Sequence, residues 1–367
     1  MERDLSHHWI DTEAGLRRLQ EATQHSETLF LDTEFMRERT YWPRLALMQV
    51  LADGEVFLVD APALSRESGL LRLLADRRVV MHACSEDLEA LAAFGAELPA
   101  EVIDTQIGAA LCGHGLQCSY QQLVRERLEV DLPKDATRSD WLQRPLEANQ
   151  RAYAEQDVIH LPALHEAVTA QLERLDRIEW WREECNRLLD GARSELAPED
   201  AWRQIRGAGA LREPLARARL ARLAAWREDT ARQRNLPRGF VIRDAELLEL
   251  AGQGARSMGE LEPMSLHPAL LRRHGRVLLQ ILEEVDETAA PEPLPAPAGP
   301  EERRRVKQLR ARVREQAQAL GLEPEVLARR RWLEALARDP ASVPEPMSGW
   351  RQHHVVEPLR ELLSQPL

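Results

Sequence analysis

Lysine is nearly absent from this chain: Lys134 and Lys307 are the two, so 47 of its 49 cations are arginines. Arginine's planar fork suits phosphate and stacks on rings, although a GC-rich genome produces the same bias. Cysteine is equally scarce. Cys84, Cys112, Cys118 and Cys185 form no CxxC pair, which excludes a disulfide framework and fits a reducing compartment. The Cys112, His114 and Cys118 group lacks the second half that a zinc site needs. No run approaches the roughly 18 consecutive apolar residues of a membrane-spanning helix. The opening MERDLSHHWID carries charges where a signal peptide would be apolar. The expectation is a cytoplasmic protein with no membrane partner. No heptad seam demands a second copy, so a monomer is expected.

What is present is ordinary globular material in unusual places. With 367 residues, 44% of them hydrophobic, two or three domains are expected. The net charge of -12 is unevenly spread: residues 1–205 hold 22 basic and 38 acidic side chains, 206–290 hold 14 and 12, and 301–367 hold 13 and 10. The stretch 289–300, AAPEPLPAPAGP, cannot build a core and reads as a semi-rigid linker. Before it, PLARARLARLAAWREDTARQRN, DAELLELAG and HPALLRRHGRVLLQILEEV have helical periodicity. After it, VKQLRARVREQAQALGL and VLARRRWLEALA repeat the style.

The front of the chain has a different texture. ETLFLDTEF, GEVFLVDA and RRVVMHAC are short strand-like runs. They alternate with the helical patterns LRRLQEATQ, ESGLLRLLAD and SEDLEALAAFG, which predicts an α/β domain with a central sheet. Helices are expected from about Tyr120 to Glu195.

Asp32 and Glu34 stand two apart in LDTEF and so share one face of a strand. Asp87 falls on the helix after the third strand, and Asp157 lies one helical turn beyond Tyr153. All four acids sit beside apolar sequence. At about 4 Å and an effective dielectric near 20, each like-charged pair costs roughly 4 kcal/mol, so such a cluster needs protons or cations between its members. Oxygen donors without imidazole or thiolate spacing favour Mg2+ or Mn2+ over zinc.

In order and type, LDTEF, HACSEDLEAL and YAEQDVIHL resemble the three exonuclease motifs of the DEDD superfamily in its tyrosine-bearing subclass (DEDDy). VIDTQIGAALCG and KDATRSDWLQRPL are similar to segments of bacterial ribonuclease D. Residues 214–287, with RNLPRGFVIRDAELLELA, resemble an HRDC domain, and 301–367 looks like a shorter, divergent second copy that lacks that segment. The resemblance implies an α/β ribonuclease H-like exonuclease domain with a mixed central sheet over 1–205. All-α HRDC-like domains would follow at 206–288 and 301–367, separated by the linker at 289–300.

It also implies a 3'-5' exoribonuclease that trims structured RNAs such as tRNA precursors by two-metal hydrolysis, releasing nucleoside 5'-monophosphates. Asp32, Glu34, Asp87 and Asp157 would be the metal ligands for two Mg2+ or Mn2+ ions. Tyr153 would orient the attacking water, since a phenol with pKa near 10 is a poor base at neutral pH. The competing readings are a DNA 3'-5' exonuclease, which would use the same acids, and a catalytically silent RNA-binding protein.

Further candidates carry bland alternatives beside them. His82 opens the second motif and is a candidate for substrate contact, against a structural hydrogen-bonding role. Asp104 in VIDTQ is a candidate to support the metal site from behind. Lys134, Arg138 and Trp141 combine cation, fork and ring in one segment, which suits a single-stranded 3' end. Trp180 and Trp181 read as packing between helices. Arg217, Arg219, Arg222 and Arg227 recur along the first HRDC-like helix. The runs Arg303 to Arg305 and Arg329 to Arg331 read equally as solvated faces or phosphate clamps.

Overall fold

A computed structural model of the chain describes residues 7–64, 69–132 and 139–363. It divides into two compact units, one of residues 1–36, 44–193 and 298–367, the other of 37–43 and 194–297.

The first unit is built on a six-stranded mixed sheet. Its strands are β1 (His7–Ile10), β2 (Thr28–Met36), β3 (Arg44–Ala52), β4 (Glu55–Val59), β5 (Arg78–Met81) and β6 (Glu101–Asp104), in the order β1-β4-β3-β2-β5-β6. The pairs β2/β3 and β3/β4 are antiparallel and the others parallel. Strand β3 is absent from the sequence reading. Eight of its nine residues are buried, because a central strand covered on both faces is a continuous apolar run without alternation. The helical pattern expected at ESGLLRLLAD also fails: among the described residues, Gly69–Arg72 is a single 3-10 turn. Gly69 weakens any helix there, and one turn already buries Leu70.

Among the described residues, seven α-helices accompany the sheet up to residue 193: α1 (Glu13–Thr23), α2 (Ser85–Phe94), α3 (Thr105–Leu111), α4 (Tyr120–Leu128), α5 (Ala148–Ile159), α6 (Leu161–Arg174) and α7 (Ile178–Arg193). Along β2 the side chains alternate. Leu29 and Leu31 face a core formed with α1 and α2, while Phe30 faces Ala154 and Val158 of α5 and Leu164 of α6. Asp32 and Glu34 continue the Phe30 side. The β2/β3 register shifts between Glu34 and Phe35, passing over Ala46. The Ala46 carbonyl accepts instead from Arg144 Nη2 at 2.7 Å, and Arg144 also makes a two-pronged pair with Asp60 at 2.9 and 2.7 Å.

The second unit contains α8 (Pro214–Arg234), α9 (Arg238–Val241), α10 (Asp244–Gln253), α11 (Met258–Leu261) and α12 (Pro268–Glu284). Asn235 ends α8 in a left-handed conformation, and its side-chain oxygen accepts from the backbone N–H of Tyr41 and Trp42 at 3.0 and 2.9 Å. The loop joining β2 to β3 therefore belongs to this unit. Part of the Pro-rich stretch is also held here. Arg217 Nε donates to the Pro291 carbonyl at 3.0 Å, and Leu294 packs against the unit's core. Arg227 is buried on Asp244 at 2.6 Å.

The chain closes in the first unit with α13 (Pro300–Leu320), α14 (Pro324–Leu327), α15 (Arg330–Arg338) and α16 (Glu357–Leu363). These helices share one core with α3, α4, α6 and α7. Trp180 stacks on Trp350 at 4.3 Å, and Arg177 donates to the carbonyls of Leu111 and Leu320 at 2.7 and 2.6 Å. Besides the loop 37–43, the unit boundaries fall at 193/194 and 297/298, the latter because burial of α13–α16 occurs against the sheet domain's own helices. Among the described residues no helix is long and apolar enough to cross a membrane.

Candidate metal centre and active site

Two elements converge on one spot. β2 supplies Asp32 and Glu34 from the same face, and α5, packed on that face, supplies Asp157. Carboxylate oxygens of these three residues lie within 4.8 Å of one another. Asp87 arrives separately, in the first turn of α2, and accepts a hydrogen bond from Thr33 Oγ1 at 2.5 Å. Thr33 lies between the two strand acids and points to the opposite face, so one strand orders acids on both of its sides.

The electrostatics are those of a crowded nest of acids. Burial, reinforced by Asp157 and Asp87, pushes Glu34 from its ordinary 4.5 to about 9. Burial raises Asp157 to about 7, against a hydrogen bond from Tyr153 that lowers it. Asp87 rises to about 6 by burial, with the Thr33 hydroxyl opposing. Asp32 is held well above the usual carboxylate range by burial and by Asp87, Asp157 and Glu34. Tyr153 donates to Asp157, and burial with the same acids drives its phenol upward, so it remains protonated at neutral pH.

A hard divalent cation fits this donor set. All the donors are carboxylate oxygens, and the repulsion that raises their pKa values is what a bound dication relieves. Gln49 adds a further sign: it is fully buried, it pairs with Asp32 in the β2/β3 register, and neither atom of its side-chain amide has a partner among the described residues. The site and fold thus imply divalent-metal use.

The remaining sequence candidates fall in different places. The ring nitrogens of His82 are both taken, Nδ1 by Thr105 Oγ1 and Nε2 by the Cys118 carbonyl, each at 3.0 Å. Its expected substrate contact is therefore corrected to a structural bond, since no ring nitrogen is left over. Trp141 is only 2% exposed and lies against Tyr153, with ring centroids 6.1 Å apart. It is corrected from a base-stacking surface to a core residue behind the tyrosine. Lys134 and Arg138 lie outside the described residues.

Asp104 is buried and caps α3 through Gln106 N–H at 2.7 Å. It also accepts from the N–H groups of Ala83 and Cys84 at 3.0 Å each, where Ala83 has a left-handed φ of 58° and Cys84 precedes α2. In this way it anchors the turn that launches Asp87. Trp181 bonds the Asp104 carbonyl through Nε1 at 2.8 Å.

Sequence reasoning missed Thr33, Gln49 and Tyr120. The Tyr120 hydroxyl donates to the Gln156 carbonyl at 3.1 Å, and Asp157 and Asp32 add to the burial that raises its phenol. For Gln49, the signal was a lone amide inside the apolar run LALMQVLA.

A 3'-5' exonuclease family model matches residues 7–173, and an HRDC domain model matches 216–282. The chain is 38% identical to a ribonuclease D of Pseudomonas paraeruginosa, the match covering 97% of each protein. It is 35% identical to that of Escherichia coli, over 98% of this chain and 99% of the relative. The crystal structure of Escherichia coli RNase D superimposes with a TM-score of 0.90 at 34% identity, covering 98% of this chain and 99% of that one. Matches of this identity and length, on a fold that gathers the acids of the exonuclease motifs, place this chain in the ribonuclease D family of 3'-5' exoribonucleases.

Proposed function

We propose that this chain trims the 3' ends of structured RNAs, tRNA precursors above all, one nucleoside 5'-monophosphate at a time, as a cytoplasmic monomer. The observation that carries the reading is the convergence of Asp32, Glu34 and Asp157 with Tyr153 bonded to the last of them. The Escherichia coli relative is an exoribonuclease involved in structured RNA processing, which supports the substrate class.

Asp32, Glu34, Asp87 and Asp157 would hold two divalent ions, Mg2+ or Mn2+. When bound, these ions supply charge neutralisation at the scissile phosphate and acidify water near it. The chain's own residues do the positioning. Thr33 donates a hydrogen bond to the Asp87 carboxylate and so helps to orient it. Tyr153, protonated at neutral pH, has no capacity to act as a base; its hydrogen goes to Asp157, and its oxygen lone pairs are left to orient the attacking water. Asp104 fixes the turn before Asp87 and so acts through it.

The test is degradation of a tRNA bearing an unstructured 3' tail, beside a matched DNA oligonucleotide, with Mg2+ or Mn2+ and with EDTA. A mononucleotide ladder from RNA that vanishes in EDTA and in Asp157→Asn, a loss of about a thousandfold, is the expected result. Faster cleavage of DNA would make this a DNA exonuclease, and tight RNA binding without products would make it a silent binding protein.

A further inference from the structure

The arginines divide into those the fold consumes and those it leaves outside. In the C-terminal helices, Arg312 pairs with Glu315 at 3.2 Å, Arg330 with Glu334 at 2.7 Å and Arg338 with Glu302 at 2.7 Å. Arg305 bonds the Ala337 carbonyl at 3.3 Å. These are the acid-interleaved or backbone-satisfying contacts of an ordinary helical surface.

One face of α13 is different. Arg303, Lys307, Arg310 and Arg314 are all exposed. At 100° per residue they fall within about 60° of the helix circumference and extend about 16 Å along its axis. The buried stripe of the same helix, Val306, Leu309, Val313 and Ala317, lies beside them rather than beneath, so the cations face outward. Among the described residues, Lys307, Arg310 and Arg314 have no ion-pair or hydrogen-bond partner, and Arg303 spends one nitrogen on the Ala298 carbonyl at 2.7 Å.

Three successive neighbours on this stripe are like-charged at i,i+4, i,i+3 and i,i+4, a spacing that destabilises a helix instead of supporting it. A face tuned for solvation alone would carry acids at those positions, as Arg312 and Arg330 have. One of the chain's two lysines sits here, in a protein whose first 205 residues carry 38 acids.

We propose that this α13 stripe is a phosphate-binding track for the RNA body, a site separate from the acid nest. A row of cations at intervals of about 4.5 to 6 Å complements a polyphosphate chain, and it offers no base-reading geometry, so binding there is independent of sequence. The proposal rests on the ribonuclease reading for the identity of its ligand.

The experiment is kept separate from catalysis by working in full-length Asp157→Asn protein. Affinity for a 3'-tailed tRNA is measured by filter binding across a salt series, with and without Lys307→Ala, Arg310→Ala and Arg314→Ala together. The expected result is a loss of at least about tenfold at low salt and a salt slope shallower by about 2 to 3, one increment per phosphate contact removed. A control lacking two paired arginines of the same unit, Arg312→Ala with Arg182→Ala, the latter paired with Glu179 at 2.6 Å, should keep the parent slope. Unchanged affinity and slope in the triple variant, its thermal melt matching the parent's, would overturn the proposal. So would loss of binding to phosphatidylserine vesicles with RNA affinity intact, since the partner would then be a lipid surface. Failure of the ribonuclease reading is seen separately, as absence of a product ladder from the unmutated protein.

Discussion

Each unit contains a tyrosine whose hydroxyl donates to a sheltered carboxylate, Tyr153 to Asp157 in the first and Tyr41 to Glu228 in the second. Glu228 is 0% exposed, yet its pKa is lowered, because Arg238, Tyr41 and Arg232 surround it and overcome the burial that would raise it. Asp157 keeps some exposed surface, yet its pKa is raised, because burial, with the Asp87 charge added, outweighs the single hydrogen bond from Tyr153. Burial acts the same way on both, and the sign is decided by what lies within hydrogen-bond reach. The Glu228 network is finished. The Asp157 cluster is left with charge to be neutralised, which is the electrostatic mark of a site that receives a cation.

Breaking the finished network should have the largest effect on stability. Glu228→Ala strands Arg232 and Arg238 and is expected to cost about 3 kcal/mol or more, read as an earlier transition of the second unit in urea. Equal midpoints for variant and parent would show that the network is ornamental. The companion test in the first unit acts on rate. Tyr153→Phe should retain metal affinity by calorimetry while turnover falls about tenfold, since a positioning hydrogen bond is lost and no ligand is. Unchanged turnover at saturating metal would end its orienting role.

Titration sharpens the contrast further. Glu34 and Asp157 have folded pKa values of about 9 and about 7, above the ordinary 4.5 and 3.8, so between these limits the folded state binds more protons than the unfolded one. Their contribution is therefore greatest at low pH and is lost as pH rises through about 7 and then 9. In EDTA the melting temperature of the first unit should fall over that window, and Mg2+ or Mn2+ should abolish the fall. Glu228 has the opposite sign, its contribution disappearing only as pH drops through its lowered value. A melting profile in EDTA that rises from pH 6 to 9 would contradict the acid-nest account. The smallest expected effect is at Gln49: Gln49→Leu removes an unpaired buried amide and should stabilise the metal-free protein by about 1 kcal/mol, measured by denaturant midpoint. A destabilisation would mean that the amide has a partner.

The legible part of the site was local. Two residues along a strand share a face and four along a helix share a turn, so the pairing of Asp32 with Glu34 and of Tyr153 with Asp157 follows from spacing. The long amphipathic runs likewise read directly as α8, α12 and α13. Illegible features were those that depend on partners distant in sequence. Strand β3 has no periodicity because both of its faces are covered. Trp141 looked like a stacking surface until α5 was placed over it. His82 carried two readings, substrate contact and structural bonding, and its partners Thr105 and Cys118 lie 23 and 36 positions away. The loop 37–43 gave no sign that its Tyr41 belongs with Glu228, nearly two hundred positions away.

By itself, the sequence determined which residues could carry charge chemistry and on which side of each element they stand, because backbone periodicity is a property of short segments. Only the tertiary structure decided which acids meet one another and which meet arginine. Interaction between charges depends on distance and on the water excluded around them, and both are set by how remote segments pack.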